Sequence, residues 1–405
     1  MTGATPGGLF GDDLAPVPMA VIGTVGEFRI HEIRRGGMGE VLICSFAGRD
    51  EPPSLALKSF QKRLFFDGAR RRAFIQEVTI WARLTGESHI VPVMGLYYLD
   101  DRPFVLMPRL ESTLREILDT EGPSSGLAAR AALHIAVALA RAQARLGHLV
   151  HGDLKPENVL ASGANFLVSD LGLARIIAES RESDELEGTW AYRAPELWDG
   201  KPASVKSDIY AFGTMLYEVL VGTTPLHASR RDEWAQSHRA GLLCPHSGSQ
   251  DALGSALMSV ALRCLAREPQ DRPADFGAVV REIREALGRA DPLEALMLMT
   301  DTMKLADLFA QIRVEVSGQV AGTLLELAES RLALEYLEDL PDDAVTAKTA
   351  RLHGDALSLE GRDAEALGWL TARSSSIPTG LESDSRVKGA IAETPRRLRG
   401  GNKRA

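Results

Sequence analysis

The sequence predicts an α+β fold, because strand signals in its first part precede long helix-forming segments. Strand signals begin near Phe28 and Ile30, and residues 103–107 form an apolar run of strand length. Residues 127–146 are rich in alanine with arginine interspersed, a composition that favours a long helix. The chain is therefore expected to place a β-rich part before a helical part.

Bulk composition narrows the class of protein. The chain has 405 residues, of which 45% are hydrophobic and 25% charged, so it has room for about two or three globular domains. The net charge of −9 argues against a general nucleic-acid binder, and no nucleic-acid partner is expected. No apolar run approaches the ~20 residues that a membrane-spanning helix needs, so no membrane span is expected.

Cysteine usage and the N-terminus indicate a cytoplasmic protein. Cys44, Cys244 and Cys264 are far apart and form no C-x-x-C pair, so neither a zinc site nor a disulfide framework is indicated. Acidic Asp12 and Asp13 lie near the N-terminus, where a signal peptide would carry basic residues. A reducing compartment fits both observations.

Residues 149–160 carry the most concentrated polar chemistry of the chain, between two apolar flanks. Asp153 and Asn158 supply oxygen atoms five positions apart, and the cation Lys155 lies between them. A site that transfers a phosphoryl group needs a base that orients a hydroxyl, an oxygen ligand for Mg²⁺ and a positive charge. Because His-Gly-Asp also occurs in ordinary turns, this stretch is informative only together with its surroundings.

A glycine-rich hairpin is predicted at residues 33–41, where glycines separate two strand patterns. Glycine allows backbone N–H groups to approach phosphates closely. Most hairpins of this kind are only turns, so the signal is weak on its own.

In combination these stretches resemble bacterial-type (eukaryotic-like, Hanks-type) serine/threonine protein kinases. Residues 153–158, Asp-Leu-Lys-Pro-Glu-Asn, are similar to the catalytic loop of that family. Residues 36–41, Gly-Gly-Met-Gly-Glu-Val, are similar to its nucleotide-covering loop. Further family motifs follow in order, and the resemblance covers a kinase domain at roughly residues 26–288.

The chain departs from the family pattern at three positions. Arg34 replaces the first loop glycine, but the glycines at the tip are kept, so ATP binding is expected. Leu171 replaces the phenylalanine of Asp-Phe-Gly, a packing residue. Gly152 replaces an arginine that in many kinases grips an activation-loop phosphate. Since residues 179–187 are also strongly acidic, activity is expected not to depend on phosphorylation of that segment.

The resemblance implies a bilobal fold and a division of the chain. The β-rich N-lobe would span residues 26–110 and the helical C-lobe residues 111–288. A flexible leader, residues 1–25, would precede them. An α-helical C-terminal region, residues 289–372, and a disordered basic tail, residues 373–405, would follow.

The resemblance further implies ATP as the phosphoryl donor and Mg²⁺, or alternatively Mn²⁺, as the metal. Val41 and Ala56 would cover the adenine ring, and Lys58 would hold the α and β phosphates. The Pro108 carbonyl and the Leu110 amide would recognise the adenine edge. The complete predicted ATP-binding set is Ile33, Gly36, Gly37, Met38, Gly39, Val41, Ala56, Lys58, Met107, Pro108, Leu110 and Leu160.

Catalytic roles follow from the same resemblance. Asp153 would orient the hydroxyl of a protein substrate, and Lys155 would stabilise the transferring γ-phosphoryl group. Asn158 and Asp170 would hold the metal ions. The implied supporting contacts are Glu77 with Lys58, the substrate-docking residue Thr189 with Asp153 and Lys155, Asp208 with the catalytic-loop backbone, and Arg272 with Glu196.

Two other functions stay open from the sequence. Small-molecule kinases, such as aminoglycoside or choline phosphotransferases, often carry His-Gly-Asp, as this chain does at residues 151–153. They lack a segment like residues 188–196, which forms a peptide-docking surface in protein kinases, so a protein kinase is preferred. An ATP-binding pseudokinase scaffold usually loses the counterpart of Lys58, Asp153 or Asp170, and none is lost here.

The C-terminal region carries helical patterns and no recognisable catalytic motif. Helices are predicted at about 320–340, 343–360 and 363–372. Some offsets are tetratricopeptide-like, although an ordinary helical appendage is preferred. The residues at these offsets are Gly354, Gly361, Ala366 and Leu370. We expect the region to bind a regulatory partner and not to be needed for the chemistry.

Overall fold

The structure is a computed structural model of the chain. It describes residues 23–25, 27–35, 39–47, 53–60, 68–99, 102–147, 149–171, 190–241, 251–290, 313, 316–341 and 344–374. The predicted ATP-binding residues Gly36, Gly37 and Met38 and the predicted docking residue Thr189 lie outside the described residues. The acidic stretch 179–187, residues 1–22 of the predicted leader and residues 375–405 of the predicted tail lie outside them as well.

Six antiparallel strands form the sheet of the first part, in the spatial order β1-β2-β3-β4-β6-β5. Their bounds are β1 Gly23–Val25, β2 Phe28–Arg35, β3 Gly39–Phe46, β4 Leu55–Phe60, β5 Gly95–Leu99 and β6 Arg102–Pro108. Side chains alternate between the two faces. One face packs an apolar cluster around Phe28 and Leu57, and the other joins the main core of the molecule.

Helix α1, Gly68–Arg83, connects β4 to β5 and packs on the sheet. Its buried residues Phe74, Val78 and Trp81 recur at helical spacing, as the sequence predicts. The Trp81 indole donates a 2.8 Å hydrogen bond to the carbonyl of Val91, so the end of α1 is fixed to the segment that follows it.

Helices build the second part, together with a small sheet. The helices are α2 Leu114–Glu121, α3 Ser125–Leu146, α4 Pro195–Trp198, α5 Val205–Val221, α6 Arg231–Ala240, α7 Ala252–Cys264 and α8 Phe276–Ala290. The small sheet has the order β7-β8-β9, with β7 Ser112–Thr113, β8 Val159–Ser162 and β9 Asn165–Val168. The predicted α+β fold is therefore confirmed.

The long helices α3 and α5 are buried along most of their length and form the centre of this part. Each begins at a serine whose side chain accepts a backbone N–H of the first turn, Ser124 for α3 and Ser204 for α5. Alanine fills much of the buried face of α3, so neighbouring elements approach it closely.

In the described part of the C-terminal region, four further helices follow. They are α9 at 316–326, α10 Ser330–Glu338, α11 Ala347–Leu359 and α12 Asp363–Ser374. Their buried residues, including Val320, Leu324 and Leu337, belong to one continuous core with the kinase-like parts. None of the helices in the described ranges is both long and apolar enough to cross a membrane.

Candidate active site

The N-terminal sheet aligns predicted nucleotide-binding side chains in cross-strand rows. The strand register places Val41 opposite Lys58, and places Ala56 opposite both Ile43 and Met107. Directly opposed residues of antiparallel strands lie on the same face. Val41, Ala56, Lys58 and Met107 therefore share one sheet face.

Among the remaining described residues of the predicted ATP set, Ile33 lies opposite Leu42, which belongs to the apolar cluster on the other face of the sheet. Ile33 is 38% exposed, and Leu110 and Leu160 are half-buried. Gly39 is the first residue of β3, and Pro108 is the last residue of β6. Apolar side chains that keep some exposure are suited to a flat aromatic ring. Their roles as ATP contacts stay predictions.

The catalytic loop holds one oxygen of Asp153, and no other described residue donates to the second oxygen. Lys155 Nζ lies 2.8 Å from Asp153 Oδ2, and Asn158 Nδ2 donates to the same oxygen at 3.0 Å. Asn158 Nδ2 also donates to the Asp153 carbonyl oxygen at 2.7 Å. Asp153 Oδ1 is buried and accepts no hydrogen bond from the described residues. The carboxylate is thus fixed in orientation while one oxygen stays available for a further proton donor.

Asp208, on α5, holds the backbone that precedes Asp153. Asp208 Oδ2 accepts the N–H of His151 at 2.6 Å, and Asp208 Oδ1 accepts the N–H of Gly152 at 2.9 Å. Burial raises the pKa of Asp208 to about 6, although His151 and the two N–H donors oppose the shift. The predicted contact between Asp208 and the catalytic-loop backbone is confirmed.

Gly152 has a backbone conformation that favours glycine. Its φ is 80°, in the left-handed region, where a residue with a Cβ would be strained by about 1–2 kcal/mol. This conformation accompanies the hydrogen bond from Gly152 to Asp208. The backbone conformation therefore explains the glycine at position 152 without reference to the kind of substrate.

Asp170 follows β9 and pairs with Lys58. Its φ of 61° is unusual for a residue other than glycine. Asp170 Oδ2 contacts Lys58 Nζ, whereas Asp170 Oδ1 is buried and accepts no hydrogen bond from the described residues. The described ion pair of Lys58 is with Asp170, since the turn at Asp170 brings this carboxylate to the ammonium group. Glu77 is 8% exposed on α1, and its pairing with Lys58 stays a prediction.

A backbone contact joins the Asp170 side of the site to the catalytic loop. Ser169 donates its N–H at 2.9 Å and its hydroxyl at 3.0 Å to the carbonyl of Asn158. His151 Nε2 lies 2.9 Å from the carbonyl of Ser169 and donates to it. These hydrogen bonds therefore fix the position of Asp170, the next residue, relative to the catalytic loop.

Two stacked histidines fix β9, a role that the sequence analysis missed. His89 Nδ1 donates to the carbonyl of Phe166 at 3.0 Å, and His134 Nδ1 accepts the N–H of Phe166 at 3.2 Å. The two rings stack with centroids 4.0 Å apart. Burial lowers the pKa of His89 to about 4 and that of His134 to about 2, so both rings are neutral near pH 7. Neither residue belongs to a catalytic motif, so no sequence signal indicated their contact.

A charged network beside the catalytic loop was also missed. Arg115, on α2, contacts Glu157 at 3.0 Å, the hydroxyl of Tyr192 at 2.8 Å and Glu218 at 2.9 Å. These partners lie on the catalytic loop, in the segment before α4 and on α5. Arg115 and Glu218 are single charged residues on helices, which a sequence alone assigns to solvent.

The predicted ion pair between Glu196 and Arg272 is confirmed. Arg272 Nη1 lies 2.7 Å from Glu196 Oε1, and Nη2 lies 2.9 Å from Oε2, so the pair is bidentate. The guanidinium also donates to the carbonyls of Ala266, Lys206 and Arg267. Because every donor of this buried cation has an acceptor, the pair is a stable link between distant segments.

A strand-rich lobe and a helical lobe meet where Lys58 pairs with Asp170 and Asn158 donates to Asp153. Ser169, next to Asp170, donates to Asn158 and joins the two pairs, an arrangement that defines a two-lobed phosphotransferase. The family model described as the protein kinase domain matches residues 29–286. The chain belongs to this family, and the resemblance stated from its motifs is confirmed.

Curated relatives of the chain include mycobacterial serine/threonine-protein kinases. PknH of Mycobacterium bovis is 30% identical over 262 residues, which cover 64% of this chain and 43% of the relative. PknK of the same species is 32% identical over 289 residues, which cover 68% of this chain and 25% of the relative. PknB of Mycobacterium tuberculosis is 32% identical over 258 residues, covering 62% and 39%. The chain thus matches less than half the length of each of these relatives.

Proposed function

We propose that the chain is an ATP-dependent serine/threonine protein kinase that transfers the γ-phosphoryl group of ATP to protein hydroxyls in a signalling role. The observation that supports this proposal most strongly is that the carboxylates of Asp153 and Asp170 have similar surroundings. Asp153 presents one oxygen to Lys155, and Asp170 presents one oxygen to Lys58. The other oxygen of each carboxylate is buried without a partner among the described residues. One is suited to a substrate hydroxyl and the other to a metal ion.

Asp153 is the group that we assign to the substrate hydroxyl. Its Oδ1 would accept the hydroxyl proton while the hydroxyl oxygen bonds to the γ-phosphorus and the bond from that phosphorus to the β-phosphate oxygen breaks. Lys155 keeps the carboxylate oriented through Oδ2 and places a positive charge beside the transferring group. Positioning and electrostatic stabilisation then supply most of the rate enhancement.

A divalent metal, which we propose to be Mg²⁺ or alternatively Mn²⁺, fits the Asp170 side of the site. Magnesium is commonly bound by one or two protein oxygens together with substrate phosphates. The buried Oδ1 of Asp170 is a suitable hard ligand, and the amide of Asn158 uses its nitrogen on Asp153, which leaves its oxygen for the metal. When bound, the metal neutralises phosphate charge. In the described ranges, no cluster of three or more histidine, cysteine or acidic residues could hold a metal, which agrees with this mode.

Lys58 and the sheet face around it would hold the nucleotide. Lys58 would move from Asp170 toward the α and β phosphates. Glu77, which is buried on α1, would then pair with the Lys58 ammonium group and hold it there. Val41, Ala56 and Met107 supply the apolar face for adenine.

The family membership favours protein substrates over small molecules. The His-Gly-Asp sequence supports an aminoglycoside or choline phosphotransferase only if Gly152 reflects the substrate, and its left-handed backbone offers another reason for glycine. A pseudokinase scaffold is not favoured either, since Asp153 and Asp170 both keep an available oxygen. The proposal also includes a cytoplasmic location, based on cysteine usage, and a regulatory partner for the C-terminal helices.

The test uses the purified full-length chain with labelled ATP and Mg²⁺. We expect phosphate on protein serine or threonine, located by mass spectrometry, and none on choline or an aminoglycoside. Asp153→Ala should lower turnover by about 10²–10⁴-fold and leave ATP affinity nearly unchanged, because this residue does not hold the nucleotide. Lys58→Ala should weaken ATP binding and transfer together.

A matched control is Asp199→Ala, which removes a carboxylate that is half exposed and pairs with Arg239 away from the site. Its turnover should equal that of the wild type. Wild-type turnover in Asp153→Ala would show that the catalytic loop is wrongly assigned, and transfer to small molecules alone would favour the alternative function.

A further inference from the structure

The C-terminal helices cover the open edge of the N-terminal sheet. Strand β5 is an edge strand, and Gln319 of α9 binds its backbone. Gln319 Oε1 accepts the N–H of Leu96 at 2.9 Å, and Gln319 Nε2 donates to the Leu96 carbonyl at 2.8 Å. One side-chain amide thus satisfies a donor and an acceptor as a neighbouring strand would. Gly95 leaves room for the Gln319 side chain, because a Cβ at this position would lie only 2.7 Å from Gln319 Oε1.

A carboxylate at the end of α10 connects these helices to both lobes. Asp339 pairs with Arg83 through two contacts of 3.1 Å. The same side chain accepts from Arg145 at 3.3 Å, and the Asp339 carbonyl accepts from Arg145 at 3.1 Å. Arg83 is the last residue of α1, and Arg145 lies in the last turn of α3. Both cations are well placed because helix C-termini carry partial negative charge.

Close packing accompanies these polar contacts. Arg313 lies over the turn after α1, where a Cβ on Gly86 would be 3.0 Å from its Nη1. Apolar side chains of α9 and α10 are buried in the core that also contains α1 and α3. These side chains are Val316, Val320, Leu324, Leu334 and Leu337. The interface therefore combines buried apolar side chains with charged pairs at one end.

We infer that residues 316–341 form an intramolecular clamp that positions α1 for ATP binding. Gln319 fixes β5, and Asp339 fixes the C-terminal end of α1 to α3. Helix α1 carries Glu77, so the clamp acts on the nucleotide site through this helix without touching the nucleotide. Gln319 and Asp339 are positioning residues in this account.

The inference of a clamp rests on the proposed kinase function and adds a means of regulating it. The pairs of Asp339 are only partly buried, with side-chain exposures of 26% for Asp339, 27% for Arg83 and 21% for Arg145. Such contacts can open without unfolding the core, which allows a signal that acts on the C-terminal helices to change α1.

The test measures steady-state kinetics and direct ATP binding in the full-length chain. Asp339→Asn and Arg83→Gln each remove one charge of the ion pair between Arg83 and Asp339 and change the side-chain volume little. We expect each to raise KM for ATP by about threefold to tenfold and to leave KM for the protein substrate unchanged, since only α1 is affected. The double variant should be no worse than Asp339→Asn, which by itself also loses the pair with Arg145. Asp339→Glu should restore most of the ATP affinity.

Gln319→Leu tests the second contact and should also raise KM for ATP. Glu335→Gln is the matched control, because Glu335 is also on α10 but, among the described residues, forms its ion pair with the exposed Arg331. It should behave as the wild type. Melting temperatures near the wild-type value would show that each variant is folded.

Unchanged KM and Kd for ATP in Asp339→Asn and Gln319→Leu would overturn the clamp. Additive effects of Asp339→Asn and Arg83→Gln would overturn their coupling. If the wild type transferred no phosphate to any protein, the proposed function would fail, whereas the Kd of a fluorescent ATP analogue would still report on the clamp.

Discussion

Two aspartates join distant segments of this molecule, and they differ in how much water reaches them. Asp208 is 2% exposed and binds two backbone N–H groups of the catalytic loop. The Asp339 side chain is 26% exposed and binds the side chains of Arg83 and Arg145. Buried N–H donors have no alternative acceptor, whereas arginines at the surface exchange their partner for water at little cost.

The difference indicates that the two halves of the active site are held by contacts of different strength. The catalytic loop, with Asp153, is fixed by the fold itself. Helix α1, with Glu77, is held in part by the partly exposed pair of Arg83 with Asp339, which is weaker and adjustable. In this account regulation acts on the nucleotide side of the site and leaves the hydroxyl-orienting side unchanged.

The largest stability effect is expected at the buried aspartate. Asp208→Ala should lower the free energy of unfolding by about 2–5 kcal/mol, because two buried N–H donors lose their acceptor. Asp199→Ala is the matched control, since this residue is half exposed, and it should change stability by no more than about 1 kcal/mol. Urea unfolding of both variants measures the difference. Equal losses would show that burial is not what distinguishes the two sites.

A smaller effect is expected at the glycine of the catalytic loop. Gly152→Ala adds a Cβ at a φ of 80° and should destabilise the protein by about 1–2 kcal/mol. It should also lower turnover, because the strain falls on the N–H groups that Asp208 holds. Gly126→Ala, at a helical glycine with open space around it, is the control and should be neutral or slightly stabilising. A fully active and stable Gly152→Ala would contradict the anchored loop.

The smallest effect is expected from removing phosphate acceptors in the acidic segment. Ser180→Ala/Ser183→Ala should phosphorylate an external substrate at nearly the wild-type rate, and phosphatase treatment of the wild type should have little effect. The reason is that a phosphate of roughly −1.5 to −2 charge would face Glu179, Glu182 and Asp184, while Gly152 offers no cation. Loss of most activity in both cases would show that activity does depend on phosphorylation of this segment.

Catalytic residues could be predicted from sequence because their chemistry is encoded in short runs. Asp153, Lys155 and Asn158 lie within six positions, and the structure links them directly. The contacts of Asp208 and Arg272 were also predictable, because both belong to motifs in a family order. The contact between Lys58 and Asp170 was not predicted, since it depends on the left-handed backbone at Asp170.

The clamp could not be predicted for a related reason. Gln319 and Asp339 are single polar residues on or beside amphipathic helices, which ordinarily face solvent. Their partners Leu96 and Arg83 are more than two hundred positions earlier in the chain. The sequence analysis therefore treated the C-terminal region as unnecessary for the chemistry. That expectation stays a prediction, and the shared core gives a reason to expect that removing the region weakens ATP binding.

Hydrogen exchange of the wild type and Asp339→Asn tests the difference between the two halves most directly. We predict that peptides from α1 and β5 exchange about threefold to tenfold faster in the variant, since local opening there becomes easier. Peptides covering residues 149–160 should exchange at the wild-type rate, because Asp208 still holds them. Equal acceleration in both regions, or no change in α1, would contradict the account.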